Sequence, residues 1–160
     1  MIRPPGTSLQ VWGWQKVHAQ VQNLAGVVRR VAGDRHPALY GVPRGGLVFA
    51  CMVAHELDAQ GIHAIQSTGQ YVVRPAGAEV AIVIDDVCET GATFKALRER
   101  LTKSLGIPVA MVAVVEKAEA EFECDGYVER MSNDTWVQFP WELENADAPE
   151  VDCFGPVGQD

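Results

Sequence analysis

Three carboxylates and a hydroxyl-rich turn are crowded into Asp85-Asp86-Val-Cys-Glu-Thr-Gly-Ala-Thr93, directly after the apolar run Val80-Ala-Ile-Val-Ile84. From Thr90 onward the spacing of Phe94, Leu97, Leu101 and Leu105 predicts a helix. The first amides of a helix have no intrachain acceptor and carry the positive end of its dipole. Thr90 and Thr93 can add hydroxyl donors, and Gly91 allows close backbone approach, so the turn suits a phosphate. Asp85, Asp86 and Glu89 can accept hydrogen bonds from hydroxyl groups. A carboxylate pair beside a phosphate cradle fits a ligand whose sugar lies between a hydroxyl-bearing and a phosphate-bearing end. The bland alternative is a solvated acidic turn joining a strand to a helix.

Such groups need a scaffold that delivers them to one place. Val80 to Ile84 is too short for a helix and rich in β-branched residues, which predicts a buried central strand. Val109-Ala-Met-Val-Ala-Val-Val115 reads the same way and brings Glu116-Lys117 to the same sheet edge. Ala38 to Val42 is the first strand of the sheet, followed by the loop Pro43-Arg-Gly-Gly46 and an apolar helix over Leu47 to Leu57. The two glycines let amides face an anion, and Arg44 adds a permanently charged fork of donors. Strands alternating with helices predict an α/β fold with a parallel sheet, in which ligands bind beyond the carboxyl ends of the strands.

The remaining chain is read around this unit. Residues 1–11 form a Pro- and Gly-bearing arm that orders on contact. Trp14, Val17, Val21, Leu24, Val28 and Val31 recur at helical spacing, Gly33-Asp34 ends that helix, and His18 lies on its surface. Ile62 to Gln66 is a short strand, Ser67 to Ala78 a mobile loop or β-ribbon, and Tyr127 to Glu129 a further strand. Trp141, near Phe139 and Pro140, belongs to a core or an interface. From Asn145 the acidic tail is loose. All 160 residues are expected to form a single domain.

A formal charge of −8 argues against nucleic acid or an anionic membrane as the main partner, though not against a small anion met by local Arg, Lys and amides. The four cysteines, Cys51, Cys88, Cys124 and Cys153, are scattered without paired spacing, so neither a zinc site nor a disulfide framework is expected. No leader-like or membrane-spanning run is visible, and a cytoplasmic protein is the expectation.

Asp85 to Thr93 resembles the phosphoribosyl pyrophosphate signature of type I phosphoribosyltransferases. The resemblance implies the type I fold: a central, mainly parallel sheet flanked by helices, with a small C-terminal hood. It implies that Asp85 and Asp86 hold the ribose hydroxyls and that Glu89, Thr90, Gly91, Ala92 and Thr93 wrap the 5-phosphate. Gly-Val-Pro-Arg-Gly-Gly-Leu47 resembles the family's pyrophosphate loop, which gives Arg44 and Gly45 to the leaving group and implies a cis or switchable Pro43–Arg44 peptide. Lys117 matches the lysine on a purine 6-oxo group. Asp134-Thr-Trp-Val137 with Pro140-Trp141 resembles bacterial xanthine–guanine phosphoribosyltransferases, in which the tryptophan matching Trp136 stacks on the purine and the residue matching Val137 offers its backbone to the base edge. Mg2+ would be the cofactor, met by Asp86 and Asp85 directly or through water. Glu89 stands where the family carries aspartate, in the position of the base near the purine's imidazole edge. The 67–78 segment is shorter than the family's closing loop, and Tyr71 or Arg74 is the candidate cover for the substrate.

These matches imply purine salvage by a homo-oligomeric enzyme. Two alternatives stay open: transfer to another nucleobase, and a non-catalytic sensor that keeps the fold and the ligand site.

Overall fold

The computed structural model describes residues 5–59, 61–66, 68 and 72–142. Tyr71, Cys153 and the expected tail from Asn145 lie outside these residues.

Five strands form one sheet in the order β3-β2-β4-β5-β6. They are β2 (Pro37–Gly41), β3 (Ile62–Ala64), β4 (Val80–Cys88), β5 (Val109–Lys117) and β6 (Gly126–Met131), and every pairing is parallel. The two apolar runs are central, with Ala81 to Asp85 paired to Val109 to Ala113. Both faces of β4 and β5 are covered, which is why these strands lack polar alternation. Helices α1 (Trp14–Ala32) and α2 (Gly45–Glu56) pack with Leu39, Ile82, Ile84, Val112 and Val114 on one face. Helix α3 (Ala92–Leu105) covers Tyr40, Ala81, Val83, Met111 and Ala113 on the other, through Phe94, Leu97, Leu101 and Leu105. The period of α3's apolar residues is therefore the face it buries.

Several boundaries differ from expectation, each for a local reason. Strand β4 does not stop at Ile84 but carries both aspartates to Cys88, because β5 is equally long and keeps pairing as far as Glu116. Helix α2 begins at Gly45, two residues early, so both glycines belong to its first turn. Strand β3 is shorter and β6 longer than predicted. Trp14 starts α1 but is 58% exposed, while Gln20 takes a buried place and donates to Glu129 at 2.6 Å. His18 is on the surface as expected.

The hood has a different construction from the expected C-terminal one. The N-terminal arm contains β1 (Ser8–Val11), which pairs in parallel with β7 (Thr135–Gln138) as a separate two-stranded sheet. The hood thus joins both ends of the described chain. An aromatic cluster seats it: Phe139 stacks on Trp141 at 4.9 Å and meets Trp12 and Phe49 edge-on at 5.3 and 5.6 Å. Phe49 belongs to α2, so the hood rests on the main layer through aromatic edges. Trp141 is accordingly a packing residue.

Candidate active site

The carboxyl ends of β2, β4 and β5, the start of α3, and the hood border one cleft of about 860 Å³. Arg44, Gly45, Asp85, Asp86, Glu89, Thr90, Gly91, Ala92, Thr93, Lys117, Trp136 and Val137 all line it. The residues expected to meet sugar, phosphate and base therefore border one cleft, while the candidate cover residue Arg74 is not among its lining and Tyr71 lies outside the described residues.

The acidic pair sits on the end of β4. Asp85 Oδ1 accepts the Asp86 N–H at 2.9 Å, and Asp86 Oδ1 accepts the Val87 N–H at 2.9 Å. The Asp86 carboxylate also lies against Gly45, where any Cβ would overlap it. Gly45 is thus required by the approach of a carboxylate. Burial, reinforced by the charge of Asp86, holds the Asp85 carboxyl well above the usual carboxylate range. The peptide Pro43–Arg44 is cis. Arg44 itself is exposed at the cleft wall, as the residue that caps α2.

The turn leaving β4 puts Glu89, Thr90, Ala92 and Thr93 at the surface and buries Gly91. Gly91 caps α3 with φ +82°, a left-handed conformation that favours glycine. Gly91 lines the cleft and also approaches Phe122, whose Cβ any side chain at 91 would overlap. Thr90 Oγ1 accepts the Ala92 N–H at 3.3 Å and so steadies the turn from within.

On the acceptor side, Lys117 is only 4% exposed. Its ammonium donates to the Ser132 carbonyl at 3.3 Å and to the Thr135 carbonyl, leaving one of its three protons for a further acceptor. Desolvation pulls its pKa below the usual lysine value, against the opposing charges of Glu89 and Asp134. Glu116, one residue earlier on β5, faces away from it. It is 1% exposed, accepts the Cys124 N–H at 2.9 Å and lies 3.5 Å from Arg130.

The register of β7 decides which of its backbone groups are free. The carbonyls of Asp134 and Gln138 accept from Ser8 and Trp12 on the β1 side. By alternation, the backbone groups of Thr135 and Val137 point to the opposite edge, and the Thr135 carbonyl does meet Lys117 there. Val137 therefore buries its side chain in the hood while its backbone faces the same edge as Lys117. Trp136 is half-buried and paired with Leu9 of β1, an exposed leucine that also lines the cleft.

One expectation needs correction. Arg74 does not cover the cleft. Its guanidinium donates to the carbonyls of Leu105 and Ala78, at the end of α3 and just before β4. Cys88 and Cys124, scattered in sequence, are hydrogen-bonded free thiols behind the acidic pair. Contact with Cys124 lowers the Cys88 pKa, while that of Cys124 is pushed up by the same bond and by burial. Sequence reasoning also missed Leu9 and Phe122. For Leu9 the only signal was an apolar residue between Ser8 and Gln10, and for Phe122 an aromatic among glutamates.

The sheet order and the cleft at its carboxyl edge define an α/β fold with a parallel sheet, and comparison gives its class. The structure is similar to the xanthine–guanine–hypoxanthine phosphoribosyltransferase of Helicobacter pylori, with a TM-score of 0.76 at 15% identity, covering 85% of this chain and 95% of that one. It is also similar to a purine phosphoribosyltransferase from Pyrococcus horikoshii, with a TM-score of 0.66 at 23% identity over 84% of this chain and 94% of that one. The fold is the type I phosphoribosyltransferase fold. In sequence the chain is 31% identical over 143 residues to xanthine-guanine phosphoribosyltransferase of Idiomarina loihiensis, which covers 81% of this chain and 84% of the relative. It is 27% identical over 142 residues to the protein of the same name from Nitratidesulfovibrio vulgaris, covering 82% of this chain and 83% of that one. The chain therefore belongs to the xanthine–guanine phosphoribosyltransferase family. It matches no protein-family model.

Proposed function

We propose that this protein transfers the 5-phosphoribosyl group of phosphoribosyl pyrophosphate to a ring nitrogen of a 6-oxopurine, releasing pyrophosphate and the nucleoside monophosphate in purine salvage. The observation that carries this is one cleft bordered by a carboxylate pair, a helix-opening turn, an arginine loop, a buried lysine and a half-buried tryptophan. Asp85 and Asp86 accept from the ribose hydroxyls, and the turn from Glu89 to Thr93 receives the 5-phosphate. Arg44 and the amide of Gly45 meet the pyrophosphate, where negative charge grows as the sugar–oxygen bond breaks. Lys117 donates to the purine 6-oxo group, Trp136 supplies a stacking face, and the Val137 backbone meets the base edge. An ammonium can only donate, so a 6-amino base leaves it unmatched. Glu89, close enough to Lys117 to act on its charge, is the proposed base at the imidazole edge.

The donor set also suits magnesium. Among the described residues no cluster of three or more His, Cys, Asp or Glu side chains could cage a metal. Asp86 and Asp85 offer hard oxygens, and burial together with the Asp86 charge disfavours the ionised form of Asp85, so a divalent cation would fit there with substrate oxygens and water. Bound there, magnesium neutralises charge on the departing pyrophosphate. Among the described residues no helix is long and apolar enough to cross a membrane. The proposal includes a cytoplasmic, single-domain chain acting as a homo-oligomer.

The test is pyrophosphate release with magnesium and phosphoribosyl pyrophosphate across guanine, xanthine, hypoxanthine, adenine and uracil. Turnover with the 6-oxopurines and not with adenine is expected. Donor binding without turnover on any base would replace the enzyme with a sensor. Glu89→Gln should lower kcat while leaving substrate binding intact; unchanged turnover removes Glu89 from the base role.

A further inference from the structure

The segment between β5 and β6, residues 118–125, lies outside the cleft but touches the turn that opens α3. Its far end is fixed to β5. Asp125 exchanges backbone bonds with Met111: its N–H donates to the Met111 carbonyl at 2.8 Å, and its carboxylate accepts the Met111 N–H at 2.6 Å. The same carboxylate pairs with Arg98 of α3. The Cys124 N–H is held by buried Glu116 at 2.9 Å. From this anchored base Phe122 reaches across to α3. Its ring meets Phe94 edge-on at 6.0 Å, the Arg98 guanidinium covers it at 4.7 Å, and its Cβ occupies the space beside Gly91. The residues flanking Gly91 are exposed, so packing on this turn is concentrated at one point.

We propose that Phe122 is a positioning residue for donor binding: pressed against Gly91, it fixes the amides of the Glu89–Thr93 turn before the 5-phosphate arrives. This rests on the reading of that turn as the phosphate cradle. Glycine has the widest conformational freedom of any residue; the Thr90 Oγ1 bond to the Ala92 N–H and the Lys95 N–H bond to the Gly91 carbonyl restrain the turn locally, whereas Phe122 reaches it from another element. Ordering done by the protein in advance is not charged against binding. The ring does not line the cleft, so it acts through Gly91 and not on the substrate.

The full-length chain tests this through separate KM values for phosphoribosyl pyrophosphate and for the purine. Phe122→Ala should raise the donor KM about three- to tenfold, the size of one lost ordering contribution, and leave the purine KM unchanged. Alanine keeps the Cβ beside Gly91 but loses the ring that Phe94 and Arg98 hold in place; Phe122→Leu, which restores an apolar branch against Phe94, should recover most of the loss. A lowered Tm with both KM values unchanged, or an equal rise in both, makes Phe122 a stability residue only and overturns the proposal. Should Phe122→Ala fail to fold, Arg98→Met uncovers the ring while leaving it present. A selective rise of about twofold in donor KM is then expected, and unchanged or equally raised values overturn the proposal. Titration of donor binding by calorimetry separates the two failures. If the wild type turns over no base, the activity is wrong, while the ratio of donor affinities still reports on Phe122.

Discussion

The donor side and the acceptor side of the cleft are built in opposite ways. The donor side comes from two short continuous stretches, Arg44–Gly46 and Asp85–Thr93, held on neighbouring strands at the middle of a buried parallel sheet. The acceptor side is assembled from β5, β7 and β1, with a lysine from one sheet meeting a strand of the other. The first rests on strands that are covered on both faces. The second depends on a two-stranded ribbon seated by aromatic edges. A site that binds a common activated sugar and a variable base can thus keep the first constant and alter the second with few changes to the core.

That contrast can be broken, beginning with the largest effect. Replacing both aspartates, Asp85→Asn with Asp86→Asn, removes two charged acceptors and should lower kcat/KM by about 10²- to 10⁴-fold through the donor. An equal rise in the purine KM would show that the two sides are not separable. Lys117→Met removes a charged donor from the acceptor side and should raise the purine KM about 10- to 100-fold, with the donor KM little changed. It should also weaken discrimination against adenine, measured as the ratio of kcat/KM values. Trp136→Ala should cost about two- to tenfold in purine KM through lost stacking, with Trp136→Phe in between. The smallest effect concerns pH. Because desolvation lowers the Lys117 pKa, its ammonium is lost at lower pH than an ordinary lysine's, so the purine KM should rise on going alkaline before free lysine would titrate. In Lys117→Arg, whose guanidinium keeps its charge, that rise should be absent; its persistence would assign the titration elsewhere.

The same contrast explains what could be read without coordinates. The donor side was legible because its chemistry is contiguous: a strand, carboxylates, a turn and a helix occur in the order in which they act. Lys117 was legible because it ends an apolar strand that could point nowhere else. The hood was legible in its residues but not in its construction. Strands β1 and β7 have four residues each; Leu9 and Val11 do alternate with Ser8 and Gln10, but over too short a run, and with all of β1 exposed the alternation marks no buried face. Their partnership is set by tertiary pairing. Phe122 and the Cys88–Cys124 contact were invisible for the same reason, since each matters only through a residue on a different element.

The pairing of Ser8 with Thr135 has a consequence for how the chain comes into being. During synthesis β1 leaves the ribosome well before β7, its strand partner among the described residues, which follows β6 in the chain. The central strands can pair long before that, whereas closing so long a loop comes late. A nascent chain halted after β6 would carry the groups that meet the sugar and the phosphates but no floor for the base. The groups proposed to meet the purine are therefore brought together only once β7 has been made.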